Sequence, residues 1–408
     1  MMAGIRNILS TKYRLMLSIL IIVMCSGYFL VYLRFAKPRG FKGDFYAAMY
    51  DPNWWDGNGI FYSPIFVIER WIVNSLPSLA TIEMFAFGCL GLLVSSLLII
   101  LKIVHADRVF TIFCIVIWTF NTYFYYSFSV AANPEILELV FLSIAWWGLS
   151  TKRYLLTWFV VTCAVLTKSV PIIFAPLLLL FFSWGGLVIS VVTTASVLAI
   201  VSFGQKQSIF SSISQIVNVV NVPPQPESEQ FLGLSNGLAR LFGVPDGGNF
   251  YFATKFAFII IATLYFLAIF VSRRIYKSNY NHEVKVAYIF AAYMCLMPIF
   301  HLAQTHRHTY LFLAPVFIAF RFVIVHDSDL IRARTFKAFN NIVFLVYSFA
   351  PIYVLDVFSF RSFSGLAFGS DFETSLLMLT EPVWTNILLF SVLLSYGIKA
   401  TITPRIKI

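Results

Sequence analysis

The sequence predicts an all-α integral membrane protein, and three observations lead to this class. Of the 408 residues, 60% are hydrophobic and only 12% are charged, whereas a soluble protein carries about 25% charged residues. The apolar residues form long runs joined by short polar segments, and a lipid bilayer is the solvent that accepts apolar surface on every helix. Phe occurs 44 times, and aromatic residues at the ends of apolar runs are typical of membrane interfaces.

About twelve apolar runs are candidates for transmembrane helices, because a helix needs about 20 apolar residues to cross the hydrocarbon core. They lie near residues 15–33, 84–103, 109–129, 134–150, 154–168, 170–183, 185–203, 251–272, 284–300, 309–325, 338–357 and 382–400. The sixth run is the shortest of them. Since no segment between the runs is long enough to fold alone, residues 1–408 are predicted to form a single polytopic membrane domain.

The distribution of Lys and Arg predicts which side of the membrane each loop faces, since cytoplasmic loops carry an excess of both. The N-terminal segment contains Arg6, Lys12 and Arg14 and is therefore placed in the cytoplasm. Alternation along the chain places the other basic clusters on the same side: Lys102, Arg108, Lys152, Arg153, Arg273, Arg274, Lys277, Lys285, Arg332, Arg334, Lys337, Lys399, Arg405 and Lys407. Both termini are then cytoplasmic. The three long loops face outward, near residues 34–83, 204–250 and 358–381.

The net charge of +11 bears on the choice of partners. A basic protein often binds nucleic acid, but here the charged residues lie between apolar runs. Anionic lipid headgroups and phosphorylated lipids are the partners that this arrangement favours. Membrane lipids are therefore predicted as partners, and nucleic acid is not.

The first outer loop offers a carboxylate that could act as a base. Asp44 lies shortly after the first run, at the level of the headgroups, where lipid-linked phosphates also lie. A carboxylate at this depth can accept a proton from a hydroxyl group, as a general base must. The alternative is an ordinary solvated loop acid or a helix N-cap. Tyr46, Trp54 and Trp55 are near Asp44 in sequence and are candidates for lining a substrate site.

Lys168 lies between the fifth and sixth runs, on the predicted outer side. A Lys close to hydrocarbon is costly and therefore usually has a partner or a function. A phosphate is a natural partner for an ammonium group at this depth. The alternative is a Lys whose long side chain extends to the interface without a specific ligand.

The fourth run opens with Asn133, Pro134 and Glu135, again on the predicted outer side. Pro in the first turn is a helix-start signal, and Asn133 can cap the helix. The negative charge of Glu135 can interact favourably with the positive end of the helix dipole. This local account suffices for both polar residues, so a substrate-binding role for them stays open. Glu138 lies one turn deeper, where the helix start does not explain it.

Three of the six histidines lie between residues 301 and 308, in the segment that joins the ninth and tenth runs. His306, Arg307 and His308 could bind a phosphate, because the guanidinium fork and imidazole groups both donate hydrogen bonds. A metal site is the rival interpretation, but no carboxylate or thiolate is near and the spacing is not a usual helical pair. A polar interfacial loop is the third interpretation. No metal ligand is therefore predicted, and metal dependence stays open.

These residues resemble the motifs of the GT-C glycosyltransferases, which are multi-span enzymes that use polyprenyl-phosphate sugars. The nearest family is glycosyltransferase family 87, the polyprenyl-phosphate-mannose-dependent α-mannosyltransferases. Its acidic first-loop motif is similar to Gly43-Asp44-Phe45-Tyr46, and its later Tyr-Pro-Pro element is similar to Tyr62-Ser63-Pro64. Its Lys and Pro before a middle span are similar to Lys168 and Pro171. Its late segment of Pro, His and Pro is similar to the segment that contains Pro298, His306, His308, Tyr310 and Pro315.

Three departures from that family concern the sugar and the acceptor. Asn133-Pro134-Glu135 stands where the family often has Gly-Gln-x-Asn, and Tyr62-Ser63-Pro64 lacks the first Pro of the doublet. The His segment is also spaced more widely from Pro298 than in the family. The resemblance implies a GT-C-type fold whose long first outer loop carries the active-site Asp44. It also implies inverting transfer of a hexose, mannose in that family, to a lipid or glycan acceptor on the outer face of a bacterial inner membrane.

The resemblance assigns a role to each candidate residue. Asp44 would be the general base, and the growing charge on the donor phosphate would be stabilised by Lys168, His306, Arg307 and His308. The residues left for substrate binding are Tyr46, Trp54, Trp55, Tyr62, Asn133, Glu135 and Tyr310. No nucleotide cofactor is expected. Two other functions stay open: an envelope polysaccharide polymerase or ligase, and a non-enzymatic transporter of lipids or solutes.

Overall fold

A computed structural model describes part of the chain. The described residues are 13, 15–23, 25–27, 68, 71, 75, 81–119, 135–168, 170–206, 208–211, 213, 248–300, 313–325, 338, 390, 391, 393 and 394. Every element in these ranges is helical, and no strand occurs in them. The predicted all-α class is therefore confirmed for this part of the chain. Nearly all of the eleventh predicted run lies outside it.

The helices follow the predicted runs from the second to the tenth. They are α1 Thr81–Ile103, α2 Arg108–Thr119, α3 Glu135–Ser150, α4 Tyr154–Thr167, a 3-10 helix Val170–Phe174, α5 Ala175–Leu180, α6 Trp184–Gln205, α7 Gly248–Lys277, α8 His282–Phe300 and α9 Leu313–Val325. α7 begins inside the predicted loop 204–250 and continues past residue 272. Its last turn contains Arg274 and Lys277, where cations interact favourably with the negative end of the helix dipole.

The sixth run does not form one continuous helix. Its residues form the 3-10 helix and then α5, which is only six residues long. Two prolines explain the interruption. Pro171 cannot donate a backbone hydrogen bond and Pro176 lies in the first turn of α5, where a missing N–H is tolerated. The predicted span over residues 170–183 is therefore corrected to a shorter, interrupted segment.

α8 is the central helix of the described bundle. It packs against α3, α7, α9 and the 3-10 helix, and every residue from Val286 to Met297 is buried. The Tyr288 hydroxyl donates a hydrogen bond to the backbone oxygen of Leu393. A helix that is apolar all round belongs in the interior of a bundle, which agrees with this position.

Two helices are long and apolar enough to cross a membrane, Trp184–Gly204 and Lys255–Lys277. Both leave large apolar side chains uncovered, such as Val191 at 61%, Phe203 at 89% and Phe266 at 69% exposure. Soluble monomers rarely expose apolar surface of this extent. The outer faces of α6 and α7 are therefore suited to contact with lipid.

The turns between helices meet at one end of the bundle. The Nε2 atom of His282, at the start of α8, lies 2.7 Å from the backbone oxygen of Leu149 near the end of α3. The ring of Phe181, just before α6, contacts the rings of Tyr276 and His282 at centroid distances of 5.2 and 5.9 Å. These contacts bring together the α3–α4, α5–α6 and α7–α8 turns.

Two further contacts add the α1–α2 turn and the end of α9. His105 Nε2 lies 3.6 Å from a carboxylate oxygen of Glu283, and Arg321 Nη2 lies 3.9 Å from Asp107 Oδ2. Helices α1 to α9 therefore alternate in direction. We call this end, formed by turn residues 104–107, 151–153, 181–183 and 278–281, the basic end. Its exposed Lys and Arg residues are Lys102, Arg108, Lys152, Arg153, Arg273, Arg274 and Lys277.

Three helices that begin at the basic end have a side-chain N-cap. Asp107 Oδ1 accepts from the Phe110 N–H at 2.8 Å, and Asn281 Oδ1 accepts from the Val284 N–H at 2.9 Å. The Ser183 hydroxyl accepts from the backbone N–H two residues after Trp184, the first residue of α6. Each cap satisfies a backbone donor that the first helical turn leaves without a partner. The short polar turns therefore start α2, α6 and α8 at the same level.

Candidate functional site

The α3–α4 hairpin positions the described residues that the sequence singled out. The Thr157 Oγ1 atom on α4 lies 3.5 Å from the backbone oxygen of Ala145 on α3. A Cβ atom at Gly148 would come within 2.6 Å of the same Oγ1, so the helices are in close contact here. Both helices have the same rise per residue. Counting the same number of residues along each helix from this contact therefore places Glu138 level with residues 164–167 of α4.

Glu138 is a carboxylic acid in the interior of the bundle. Only 1% of its surface is exposed. It shares a stripe with Leu142, Ala145 and Leu149, which are all buried and follow one another at helical spacing. Burying a charge is costly unless the group is paired or neutral. A carboxylic acid that is buried among apolar side chains is therefore a candidate functional residue.

Lys168 ends α4 at a similar depth. Its backbone is extended, with φ −154° and ψ 141°, and its N–H donates to the Ala164 carbonyl. α4 has 14 residues, so Lys168 lies about 21 Å from the α3–α4 turn. Its side chain is half-buried. The hairpin register places the first turn of α3, which begins at Glu135, at the same level.

The chain returns from Lys168 to the basic end through the 3-10 helix and α5. The Phe181 ring, at the end of this return, stacks with the Tyr154 ring at the start of α4, with centroids 6.3 Å apart. Phe174 packs against Phe290 of α8, with ring centroids 5.0 Å apart. α4 and residues 170–180 thus form a hairpin that is shorter than the roughly 30 Å thickness of the hydrocarbon core.

One described residue of the first long loop reaches the opposite end of the bundle. The Trp71 ring covers Gly204 so closely that a Cβ atom at Gly204 would overlap it. Gly204 lies in the last turn of α6, away from the basic end where that helix begins. Trp71 and Lys168 are therefore both distant from the basic end. The predicted outer loop 34–83 contains both Trp71 and Asp44, but α1 already begins at Thr81 and Trp71 is itself helical, so this part of the predicted loop is wrong.

The structure describes two of the predicted site residues, Lys168 and Glu135. Lys168 lies between two helical elements as expected, and Glu135 is the first residue of α3. The other predicted residues lie outside the described residues: Asp44, Tyr46, Trp54, Trp55, Tyr62, Asn133, His306, Arg307, His308 and Tyr310. Their grouping around a common site stays a prediction. Within the described ranges, no cluster of three His, Cys, Asp or Glu side chains could hold a metal ion.

No protein-family model matches the chain, and a search among curated proteins found no similar one. Its chemistry must therefore be inferred from its own residues. In the described ranges the two candidates are Lys168, a half-buried residue, and Glu138, a buried one at a similar depth. An ammonium group can bind a phosphate, and a buried carboxyl group can hold or release a proton.

Proposed function

We propose that the protein is a multi-pass membrane glycosyltransferase. It moves a hexose, mannose in the family it resembles, from a polyprenyl-phosphate donor to a lipid or glycan acceptor, with inversion at the anomeric carbon. The reaction takes place on the outer face of a bacterial inner membrane, and both termini are cytoplasmic. The motifs around Asp44, Lys168 and His308 support this proposal.

The membrane placement is supported by the surface of α6 and α7. Their apolar side chains are uncovered over the length of a bilayer crossing, and water would oppose that exposure. The basic end supports the orientation, since Lys and Arg gather on the cytoplasmic side of membrane proteins. About twelve spans follow from the apolar runs.

The position of Lys168 is the single observation that carries the donor site. Its Cα lies about 21 Å from the basic end, which is roughly two thirds of the way across a hydrocarbon core of about 30 Å. Its side chain is nevertheless only half-buried. A Lys that is incompletely buried at this depth suits a lipid phosphate that enters the protein from the outer leaflet while its isoprenoid tail stays among the acyl chains.

The proposed reaction breaks the bond between the anomeric carbon and the phosphate oxygen and forms a glycosidic bond to the acceptor oxygen. Asp44 takes the proton of the acceptor hydroxyl as that oxygen attacks the face opposite the phosphate. The transition state is oxocarbenium-like. The departing phosphate keeps the electron pair of the broken bond, and Lys168, His306, Arg307 and His308 stabilise its charge.

The remaining predicted residues complete the proposed site. Four aromatic residues and two polar ones would bind the sugar or the acceptor, together with the Tyr that follows the His cluster: Tyr46, Trp54, Trp55, Tyr62, Asn133, Glu135 and Tyr310. Aromatic rings suit the apolar faces of sugars and lipids. An amide can donate hydrogen bonds to hydroxyl groups or accept from them, and a carboxylate accepts from them.

Transport is a second candidate, and one observation favours it. Secondary transporters place ionisable residues at mid-depth beside interrupted helices. Here the interrupted segment 170–180 follows Lys168 directly, and Glu138 is buried at a similar depth. A lipid or solute carrier that moves a proton with its substrate would use such a pair of groups.

The deciding experiment incubates the purified protein with a labelled polyprenyl-phosphate hexose and a membrane lipid extract. A labelled product that disappears in Asp44→Asn is expected, while Asp51→Asn in the same loop serves as the matched control and keeps the activity. Turnover that is unchanged in Asp44→Asn would exclude the assigned base. Label that crosses sealed vesicles without being transferred would favour transport.

A further inference from the structure

The basic end carries a surface of exposed cations around one backbone carbonyl. The Leu149 oxygen accepts from the Lys152 N–H at 3.1 Å and from His282 Nε2 at 2.7 Å. The α3–α4 turn and the start of α8 are therefore fixed against each other. Lys152 and the next residue, Arg153, are exposed beside this junction.

The adjoining end of α7 adds more positive charge. Arg274 and Lys277 are exposed in its last turn. Lys285 Nζ donates to the Tyr276 carbonyl at 2.9 Å, so this Lys joins the start of α8 to the end of α7. We call Lys152, Arg153, Arg274 and Lys277 the cationic patch.

The acids of the described basic end are used elsewhere. Asp107 lies 3.9 Å from Arg321 and caps α2. Glu283 lies 3.6 Å from His105 of the α1–α2 turn. Neither contact involves a member of the cationic patch. The patch therefore presents its charge to the surroundings.

Aromatic side chains accompany the cationic patch. The Arg153 guanidinium lies 4.6 Å from the centre of the Trp147 ring, and the Arg274 guanidinium lies 5.1 Å from the centre of the Phe270 ring. Nearby, Trp184 is 75% exposed. The face of an aromatic ring attracts a cation electrostatically, so these two guanidinium groups are held beside the rings. Exposed Trp beside Lys and Arg is typical of the level of lipid headgroups.

We propose that the cationic patch binds anionic phospholipid headgroups of the leaflet that it faces. Two features point to a phospholipid as the ligand. The positive charge of the patch complements an anionic headgroup, and the ring of the exposed Trp184 suits the boundary between headgroups and acyl chains. Each Lys or Arg near an anionic leaflet strengthens binding roughly fivefold. The proposal rests on the membrane placement given above but not on glycosyl transfer.

The test titrates the purified full-length protein in neutral detergent with phosphatidylglycerol or phosphatidylcholine and measures bound lipid by native mass spectrometry. Wild type is expected to prefer phosphatidylglycerol, and the preference should weaken as salt rises. Lys152→Gln/Arg153→Gln should lower the phosphatidylglycerol affinity at least fivefold. Arg274→Gln/Lys277→Gln, on a different helix, should lower the affinity by a similar factor. It provides the test if the first variant does not fold.

The matched control is Lys206→Gln. Lys206 is exposed and ends α6 away from the basic end, so this variant should bind phosphatidylglycerol as wild type does. An equal loss in the control, or equal affinity of wild type for the two lipids, would overturn the proposal. The assay contains no sugar donor, so its result is independent of whether the protein transfers a hexose.

Discussion

The imidazole of His282 lies 2.7 Å, through Nε2, from the backbone oxygen of Leu149, and this hydrogen bond joins the start of α8 to the end of α3. A carbonyl only accepts, so the proton in this contact is on Nε2. The same imidazole packs against the Phe181 ring at a centroid distance of 5.9 Å. One side chain thus joins the start of α8 to two other segments of the bundle.

His282→Ala is therefore expected to destabilise the bundle. It removes a hydrogen bond that contributes about 1 kcal/mol and the packing against Phe181. Thermal unfolding of the purified protein in detergent, followed by circular dichroism, measures the change. His282→Gln keeps a donor and should lose less. A melting temperature that is the same in both variants and wild type would show that the contact contributes nothing.

Gly204→Ala is expected to displace the Trp71 ring, because the new Cβ atom would overlap it. Overpacking of this kind costs roughly 1–3 kcal/mol when the neighbour cannot move, so the Trp71 ring should shift away from the new methyl group. The segment that contains Trp71 should then be cut faster in limited proteolysis. Gly91→Ala is the matched control, since nothing lies within 4 Å of a Cβ atom at Gly91.

The pairing of Gly204 with Trp71 can be tested by a second substitution. Trp71→Ala should by itself release the loop, and adding Gly204→Ala to it should have no further effect on the cutting rate. Additive effects of the two substitutions would mean that they act on separate contacts.

Lys168→Ala is expected to weaken donor binding by about tenfold or more, since a hydrogen bond to a charged group contributes roughly 1.5–3 kcal/mol. Binding of a labelled polyprenyl phosphate to the purified protein measures this directly. Lys168→Arg keeps the charge and should retain part of the affinity. Lys206→Ala, at the exposed end of α6, should bind as wild type does. Equal affinity in all variants would remove Lys168 from the donor site.

Glu138→Gln is expected to separate a structural from a functional role. The amide has nearly the volume of the carboxyl group and can still form hydrogen bonds, so the fold should be kept while the ionisable group is lost. If Glu138 acts with Lys168, turnover or transport should fall at least tenfold, or about 1.4 kcal/mol, while the melting temperature is kept. A variant with full activity would assign Glu138 to the fold alone.

The sequence predicted the described helices well where long apolar runs alternate with short basic turns. Lys152 and Arg153 between two apolar runs correctly indicated the α3–α4 turn. The interruption in the segment after Lys168 was not predicted. The segment was expected to form a single span because its composition is apolar throughout. Pro171 and Pro176 were the available signal, since Pro within an apolar run interrupts or ends a helix.

Depth and long-range contacts could not be predicted in the same way. The burial of Glu138 depends on which face of α3 meets α4 and α8, and a helix that is apolar on all sides does not reveal this in its periodicity. The contact between Trp71 and Gly204 joins residues far apart in the chain, and neither residue carries a local signal for it. The grouping of Asp44 with His306, Arg307 and His308 is still a prediction.

The shared carbonyl of Leu149 makes one end of the α3–α4 hairpin a pivot. Both the Lys152 N–H and His282 are bonded to it, so a shift of α8 at its first turn would pull on this end of the hairpin. Helices are stiff over this length, and a rotation of about 10° at the pivot would displace Lys168 by about 4 Å. A small movement of α8 at the basic end would therefore become a larger movement of the ammonium group on the other side of the bundle.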